Sequence, residues 1–433
     1  MPMPVYPTIV VPGITASCLQ DEYALPPELV WSVLTKEYER TSLHPDNLAF
    51  EAIEPARIAP GQVFEVVYKE LIQELRHNLR SQEDLPVPVF PFAYDWRQPI
   101  EATERKLGVF IEEVIARTKL LKHYDREGYG AAPKVNLVGH SMGGLVISGY
   151  LQGAAQNRFV HKIATLATPF QGSFEAVIKV TTGTADLGES APSSREREAA
   201  RLTPALYHLL PSFAAGLETP TGFPNSLFDP GIWQPSIINT IKEYVRLHGL
   251  GRMDRDRQAH ELFAGLLDTA AVHRRRIDRL DLPAVGLEAN DWLCVVGVDS
   301  ETRVKLKVEK RENAPDFKFS SDDRQNHWQN PDQNLRRLTG DGTVPFEGAI
   351  PKFLPEESLV CVTAKDFGYW EVQDRLTSSM AGFHGILPNM DMLHRLIVAH
   401  LSGRPDRHEN IWGRPAPGVT TWRPPVPGLK PKK

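Results

Sequence analysis

The chain has 433 residues, 41% of them hydrophobic and 24% charged, with a formal net charge of -5. This is the composition of a folded globular protein, and it gives no electrostatic case for nucleic acid as a partner. No apolar run reaches the roughly 18 residues of a membrane-spanning helix, and Met1 to Pro7 hold neither a basic segment nor a continuous apolar one. No signal peptide is therefore expected, and a cytoplasmic setting is the default expectation, export without a cleaved signal being the other route.

Short β-type runs alternate with long helical patterns, which predicts an α/β fold, a mostly parallel sheet flanked by helices. In chain order the strands are expected at Thr8 to Val11, Val87 to Phe92, Val135 to Val138, Lys162 to Leu166, Trp292 to Val298 and Leu359 to Thr363. Phe64, Val67, Leu71, Leu75 and Leu79 recur at helical spacing, as do Leu107, Phe110, Ile111, Val114 and Ile115. A last helix carries Leu393, Leu396, Ile397 and His400. The alternation stops between about Val180 and Leu282, where the sequence turns helical, charged and locally rich in Gly and Pro. This predicts a core of residues 1–180 and 283–403, a helical cap or lid insertion of residues 181–282, and a proline-rich tail of residues 404–433 that wraps the surface or is disordered. Within the insertion, Arg274-Arg275-Arg276 reads as a solvated helix face. Cys18, Cys294 and Cys361 are far apart and read as buried free thiols, with no disulfide framework and no metal spacing.

The most informative run is Val135-Asn136-Leu137-Val138-Gly139-His140-Ser141-Met142-Gly143-Gly144. It sets a serine between glycines, after a β-type stretch and before the small, apolar helix pattern of Leu145, Val146, Ser148, Gly149 and Leu151. A serine hydroxyl becomes a useful nucleophile only when it is held clear of its own backbone and within reach of a base, and a sharp strand-to-helix turn does this. Ser141 then needs a histidine to take its proton and a carboxylate to orient that histidine, in the chain order serine, acid, histidine. Asp341, in the turn Gly340-Asp341-Gly342-Thr343, is the candidate acid, with Asp291, Asp299 and Asp323 as competitors. His384, in Gly382-Phe383-His384-Gly385, is the candidate base on a loop after the last strand, whereas His394 and His400 read as packing or surface residues of the following helix. Two backbone N–H groups must meet the oxyanion. They are expected from Met142, next to the nucleophile, and from Ile14, in the Pro12-Gly13-Ile14 turn after the first strand. No His-Glu-x-x-His or similar cluster exists, so neither a metal nor a cofactor is expected.

Together these segments resemble the lecithin:cholesterol acyltransferase family of α/β hydrolases. The matching points are Val10 to Leu19, Phe92-Ala93-Tyr94-Asp95-Trp96-Arg97, Gly139 to Gly143, Ala167 to Ser173, Gly340 to Pro345, and His384, and Tyr94-Asp95-Trp96-Arg97 is the most discriminating of them. The resemblance implies an α/β-hydrolase fold with Ser141, Asp341 and His384 as triad and Ile14 with Met142 as oxyanion hole. For Tyr94 to Arg97 the physical reading is structural: Trp96 packs, while Asp95 and Arg97 pin the loop near the nucleophile. The animal members carry a disulfide near the lid, whereas Cys18 stands alone in that half of this chain. The expected activity is hydrolysis of a lipid-like acyl ester through an acyl-enzyme on Ser141. Transfer of the acyl group to an alcohol is the first alternative, and a catalytically silent binding protein on the same fold is the second. Phe223, Phe228 and Trp233 in the insertion are candidates for an acyl pocket or, equally, for the insertion's own core, and the insertion is the expected point of transient contact with a lipid surface.

Overall fold

The computed structural model describes residues 5–153, 159–184, 192–250, 254–368, 371 and 382–432. The expected insertion and tail therefore extend in part outside the described residues, at 185–191, 251–253 and 433. At the centre lies a six-stranded sheet of β1 (Thr8–Val11), β2 (Val89–Pro91), β3 (Val135–His140), β4 (Val160–Leu166), β5 (Trp292–Val298) and β6 (Val360–Thr363), in the order β6-β5-β4-β3-β1-β2. Every neighbouring pair is parallel. All residues of β1, β3, β5 and β6 are buried, as their mainly apolar runs demand of a sheet covered on both faces. β2 is shorter than Val87 to Phe92 because it is an edge strand bounded by Pro88 and Pro91, which have no N–H to give to a ladder.

The main helices are α1 (Glu65–Asn78), α2 (Ile100–Lys119), α3 (Met142–Gly153), α4 (Phe174–Thr182), α5 (Ser194–Leu202), α6 (Pro204–His208), α7 (Pro235–His248), α8 (Arg255–Ile277), α9 (Phe383–Ile386) and α10 (Asp391–Ser402). Side chains alternate across the sheet, so Ile9 and Val11 join one apolar cluster with α2 and α3, while Val10 joins a second with α1 and α10. Of the expected apolar positions, Leu71, Leu75 and Leu79 are buried and Phe64 and Val67 half-buried, and Tyr68 and Ile72 complete the buried stripe of α1. The polar member, Tyr68, matters below. The chain runs from β1 outward to β2 and then back to β3 on the other side of β1. The loops leaving β1 and β3 thus diverge, and the crevice at their carboxyl ends is where this topology offers a site.

Residues 12–64 leave the sheet and form an antiparallel sheet of Ser17–Asp21, Glu28–Trp31 and Ile58–Val63, which the sequence pattern did not reveal. Helices α5 to α8 lie between β4 and β5 in the chain. Glu104 of α2 ties α8 to the sheet's helices, accepting from His273 at 2.9 Å and from Arg276, whose Nη1 also donates to the Gly149 carbonyl of α3 at 3.0 Å. The basic run is therefore not a solvated face. Arg274 is buried and donates to Ser212 Oγ and the His208 carbonyl, both at 2.8 Å, so that only Arg275 stays fully exposed. The helices also share their core with a hairpin beyond residue 282: Leu306–Arg311 pairs with Ala314–Lys318 and with Leu217–Glu218.

The tail is held in place. Arg414 exchanges two backbone hydrogen bonds with Cys361 of β6, at 2.8 and 3.0 Å, and its guanidinium meets the buried Asp366 carboxylate at 2.6 Å. Lys432 and the Trp412 indole, both at 2.9 Å, complete the shell around Asp366. The three thiols are free, with Cys294 and Cys361 buried and Cys18 half-buried rather than buried. Among the described residues no helix is long and apolar enough to cross a membrane.

Candidate active site

The site grows from the ends of β1 and β3. Ser141 follows β3 directly and adopts φ +52°, in the left-handed region that non-glycine residues rarely enter, and its N–H is held by the Leu166 carbonyl at 2.9 Å. This turn points the side chain out of the strand while α3 starts at the next residue. Gly143 permits it, because a Cβ there would lie 2.2 Å from the Val11 carbonyl oxygen. The loop after β1 passes close to the nucleophile: a Cβ on Gly13 would stand 3.0 Å from Ser141 Cβ.

Asp341 and His384 come from the other side. Asp341 sits in the turn after β5's long excursion and is 1% exposed. Its Oδ1 accepts the N–H groups of Thr343 at 2.9 Å and Val344 at 2.7 Å, which leaves Oδ2 for His384. Gly297 in β5 makes room for it, since a Cβ there would be 2.6 Å from Asp341 Cβ. His384 lies on the short helix α9 rather than on a loop, and its N–H donates to the Asp341 carbonyl at 3.2 Å. Imidazole Nδ1 is 2.7 Å from Asp341 Oδ2 and Nε2 is 2.9 Å from Ser141 Oγ. A carboxylate only accepts, so Nδ1 carries the proton and Nε2 faces the serine hydroxyl as an acceptor.

The competing carboxylates are occupied elsewhere. Asp299 pairs with Lys365 at 2.7 Å, Asp291 caps the Glu288 N–H at 2.9 Å, and Asp323 faces Arg303 and Lys305, each at 3.6 Å. His394 and His400 are buried and bonded to the carbonyls of Pro388 and of Pro425 and Ile163. Of the oxyanion candidates, Met142 opens α3, where a first-turn N–H has no carbonyl of its own helix to meet. Ile14 follows the glycine that lies against Ser141. Asp95 and Arg97 form a two-pronged pair, both contacts at 2.8 Å, and Arg97 also holds the Thr41 carbonyl at 3.0 Å.

Trp233 is 4% exposed, donates to the Leu227 carbonyl at 2.9 Å and packs against Phe263 and Phe317 at 6.0 and 5.2 Å between ring centres. Phe223 and Phe228 are half-buried against the same apolar cluster. Among the described residues no hydrogen bond or ring contact joins these three to Ser141, Asp341 or His384. Two residues that sequence reasoning missed do touch the site. His140 Nε2 is 3.0 Å from the His384 carbonyl, and its Nδ1 is 2.8 Å from the hydroxyl of Tyr68. Burial and the His384 ring beside it push His140 down to about 3, so it stays neutral. The available signal was a titratable residue inside the turn motif and a tyrosine on the apolar stripe of α1.

A parallel sheet with an acid, a histidine and a serine aligned at its carboxyl edge defines an α/β hydrolase fold. Residues 47–256 match the family model of lecithin:cholesterol acyltransferase. Over 87 residues the chain is 38% identical to the phospholipase A(1) LCAT3 of Arabidopsis thaliana, a match that covers 20% of this chain and 17% of that protein's length. A chain in the crystal structure of the Tle4-Tli4 complex shares the fold, with a TM-score of 0.55 at 14% identity over 79% of this chain and 88% of that one. The chain is lecithin:cholesterol acyltransferase-like over the matched stretch. That stretch includes Ser141 and Met142 but not Ile14, Asp341 or His384, so the last three rest on geometry.

Proposed function

We propose that this chain is a serine hydrolase of lipid-like acyl esters, with residues 1–180 and 283–403 as catalytic core and residues 181–282 as lid. Ser141 Oγ attacks the ester carbonyl while His384 Nε2 takes its proton, and the oxyanion forms against the N–H groups of Ile14 and Met142. His384 returns the proton to the departing alcohol, leaving an acyl-enzyme on Ser141, and then activates the water that releases the acid. Asp341 holds the imidazole in the tautomer this requires. The observation that carries the reading is the pair of contacts on one imidazole, 2.9 Å to Ser141 Oγ and 2.7 Å to Asp341 Oδ2.

A lipid substrate is supported by the names of the matched family and of the plant relative. The family's name also supports acyl transfer as the second reading, with an alcohol in place of water. For contact with a lipid surface the segment after the Ile14 loop is better equipped than the insertion, because Leu25 and Leu34 are 91% and 93% exposed there and Leu250 in the insertion 81%. The test is product analysis on phosphatidylcholine vesicles with and without a long-chain alcohol. Free fatty acid marks hydrolysis and a new ester marks transfer, and both should fall by about 10^4 to 10^6 in Ser141→Ala. A folded Ser141→Ala that keeps a tenth of the turnover would remove the nucleophile.

A further inference from the structure

The two polar ends of one peptide unit beside Ser141 are each held by a buried tyrosine. The Pro12 carbonyl accepts the Tyr94 hydroxyl at 2.8 Å, and the Gly13 N–H, at the other end of the same peptide plane, donates to the Tyr68 hydroxyl oxygen at 2.9 Å. Tyr68 and Tyr94 are 0% and 1% exposed, so these bonds are shielded from bulk solvent. The next peptide carries the N–H of Ile14. Fixing the first plane restricts the second, because only the two dihedrals of Gly13 separate them, and glycine supplies no side chain to limit those dihedrals on its own.

The contacts continue in one direction. Tyr68's oxygen accepts from Gly13 and its hydroxyl is left to donate to His140 Nδ1 at 2.8 Å. The His384 carbonyl can only accept, so His140 Nε2 carries the ring's single proton and donates to it at 3.0 Å. Each group has the role its neighbour requires, and neutral His140 is the one form that serves both ends.

We propose that Tyr94, Tyr68 and His140 form a buried positioning relay that holds the oxyanion-binding loop after β1 in register with the backbone of His384. This rests on the hydrolase reading above. None of the three touches the reacting atoms in that reading. They act through the Ile14 N–H and through the placement of the imidazole. A relay of this kind matters most when charge develops on the substrate oxygen, because a donor aimed slightly wrong still tolerates a neutral ester but stabilises an oxyanion less.

The test uses a p-nitrophenyl ester as substrate and an alkyl boronic acid as probe of the tetrahedral state. Wild-type turnover, lost in Ser141→Ala, establishes the hydrolase reading without reference to either tyrosine. Against that baseline Tyr68→Phe, which removes one oxygen, is expected to lower kcat by about 10- to 100-fold, part of the loss that follows complete removal of an oxyanion donor. KM should stay within about twofold while boronate affinity falls in parallel with kcat. Tyr94→Phe, at the other end of the same peptide, should show the same split and serves if Tyr68→Phe does not fold. The double variant Tyr68→Phe/His140→Gln should lose little more than the worse of its two single variants. Wild-type kcat and boronate affinity in folded Tyr68→Phe and Tyr94→Phe would overturn the relay and leave both tyrosines as packing residues.

Discussion

The carboxyl edge of the sheet and the helical insertion are built on opposite principles. At the edge, two of the candidate side chains are set by their immediate neighbours, Ser141 by a positive φ between glycines and Asp341 by the N–H groups of Thr343 and Val344, while His384 is placed by its own N–H on the carbonyl of the distant Asp341. In the insertion the polar side chains are held from far along the chain, Glu104 reaching His273 and Arg276, and Arg274 reaching His208 and Ser212. Local constraint leaves a local signature. Remote constraint leaves a residue whose type says little about its surroundings.

The largest effect is expected in the insertion. Trp233 lies between Phe263 of α8 and Phe317 of the hairpin, which makes it part of a core shared by two stretches of chain. Trp233→Ala is expected to cost about 3–5 kcal/mol of stability, from the loss of a large buried side chain. It should lower kcat/KM equally for short and long acyl esters at a temperature where the variant is folded. Calorimetry with a chain-length series checks this, and a selective loss on long chains without a change in Tm would move Trp233 into an acyl pocket.

A smaller effect sharpens the contrast at the sheet's outer strand. Hydrogen bonds from Arg414, Thr363, Lys432 and Trp412 outweigh the burial of the Asp366 carboxyl and lower it to about 2. A carboxyl depressed on folding contributes stability above its unfolded pKa, about 3.9 for Asp, and loses it as pH falls through the folded value. The Tm advantage of wild type over Asp366→Asn should therefore be full above about pH 4 and shrink as pH approaches 2. A difference independent of pH would show that the tail is held by packing and not by this charge.

These two regions also explain what the sequence yielded. The six strands of the central sheet were legible because buried parallel strands are nearly continuous apolar runs, and Ser141, Asp341 and His384, which the structure brings together, stood out because glycines bracket their turns. Asp341, preferred to Asp299 on its turn, is the carboxylate that meets His384. The antiparallel sheet of residues 17–63 was not legible, since its strands are short and part-exposed and one of them is interrupted by Pro60. Arg274 and Arg276 were misread as solvated because a charge run carries no mark of the acceptors that the fold later brings to it. Tyr68 and His140 were overlooked for the same reason: neither is informative until α1 is seen against the turn after β3.

Whether one imidazole joins Ser141 to Asp341 is read from the rate at which a fluorophosphonate modifies the protein, with the modified residue mapped by mass spectrometry. Wild type and Asp299→Asn should both be labelled on Ser141 at the same rate, whereas Asp341→Asn should be slowed by about 10^3- to 10^4-fold, as expected when the histidine loses the carboxylate that sets its tautomer. Labelling of another residue, or slowing in Asp299→Asn with Asp341→Asn unaffected, would contradict the account.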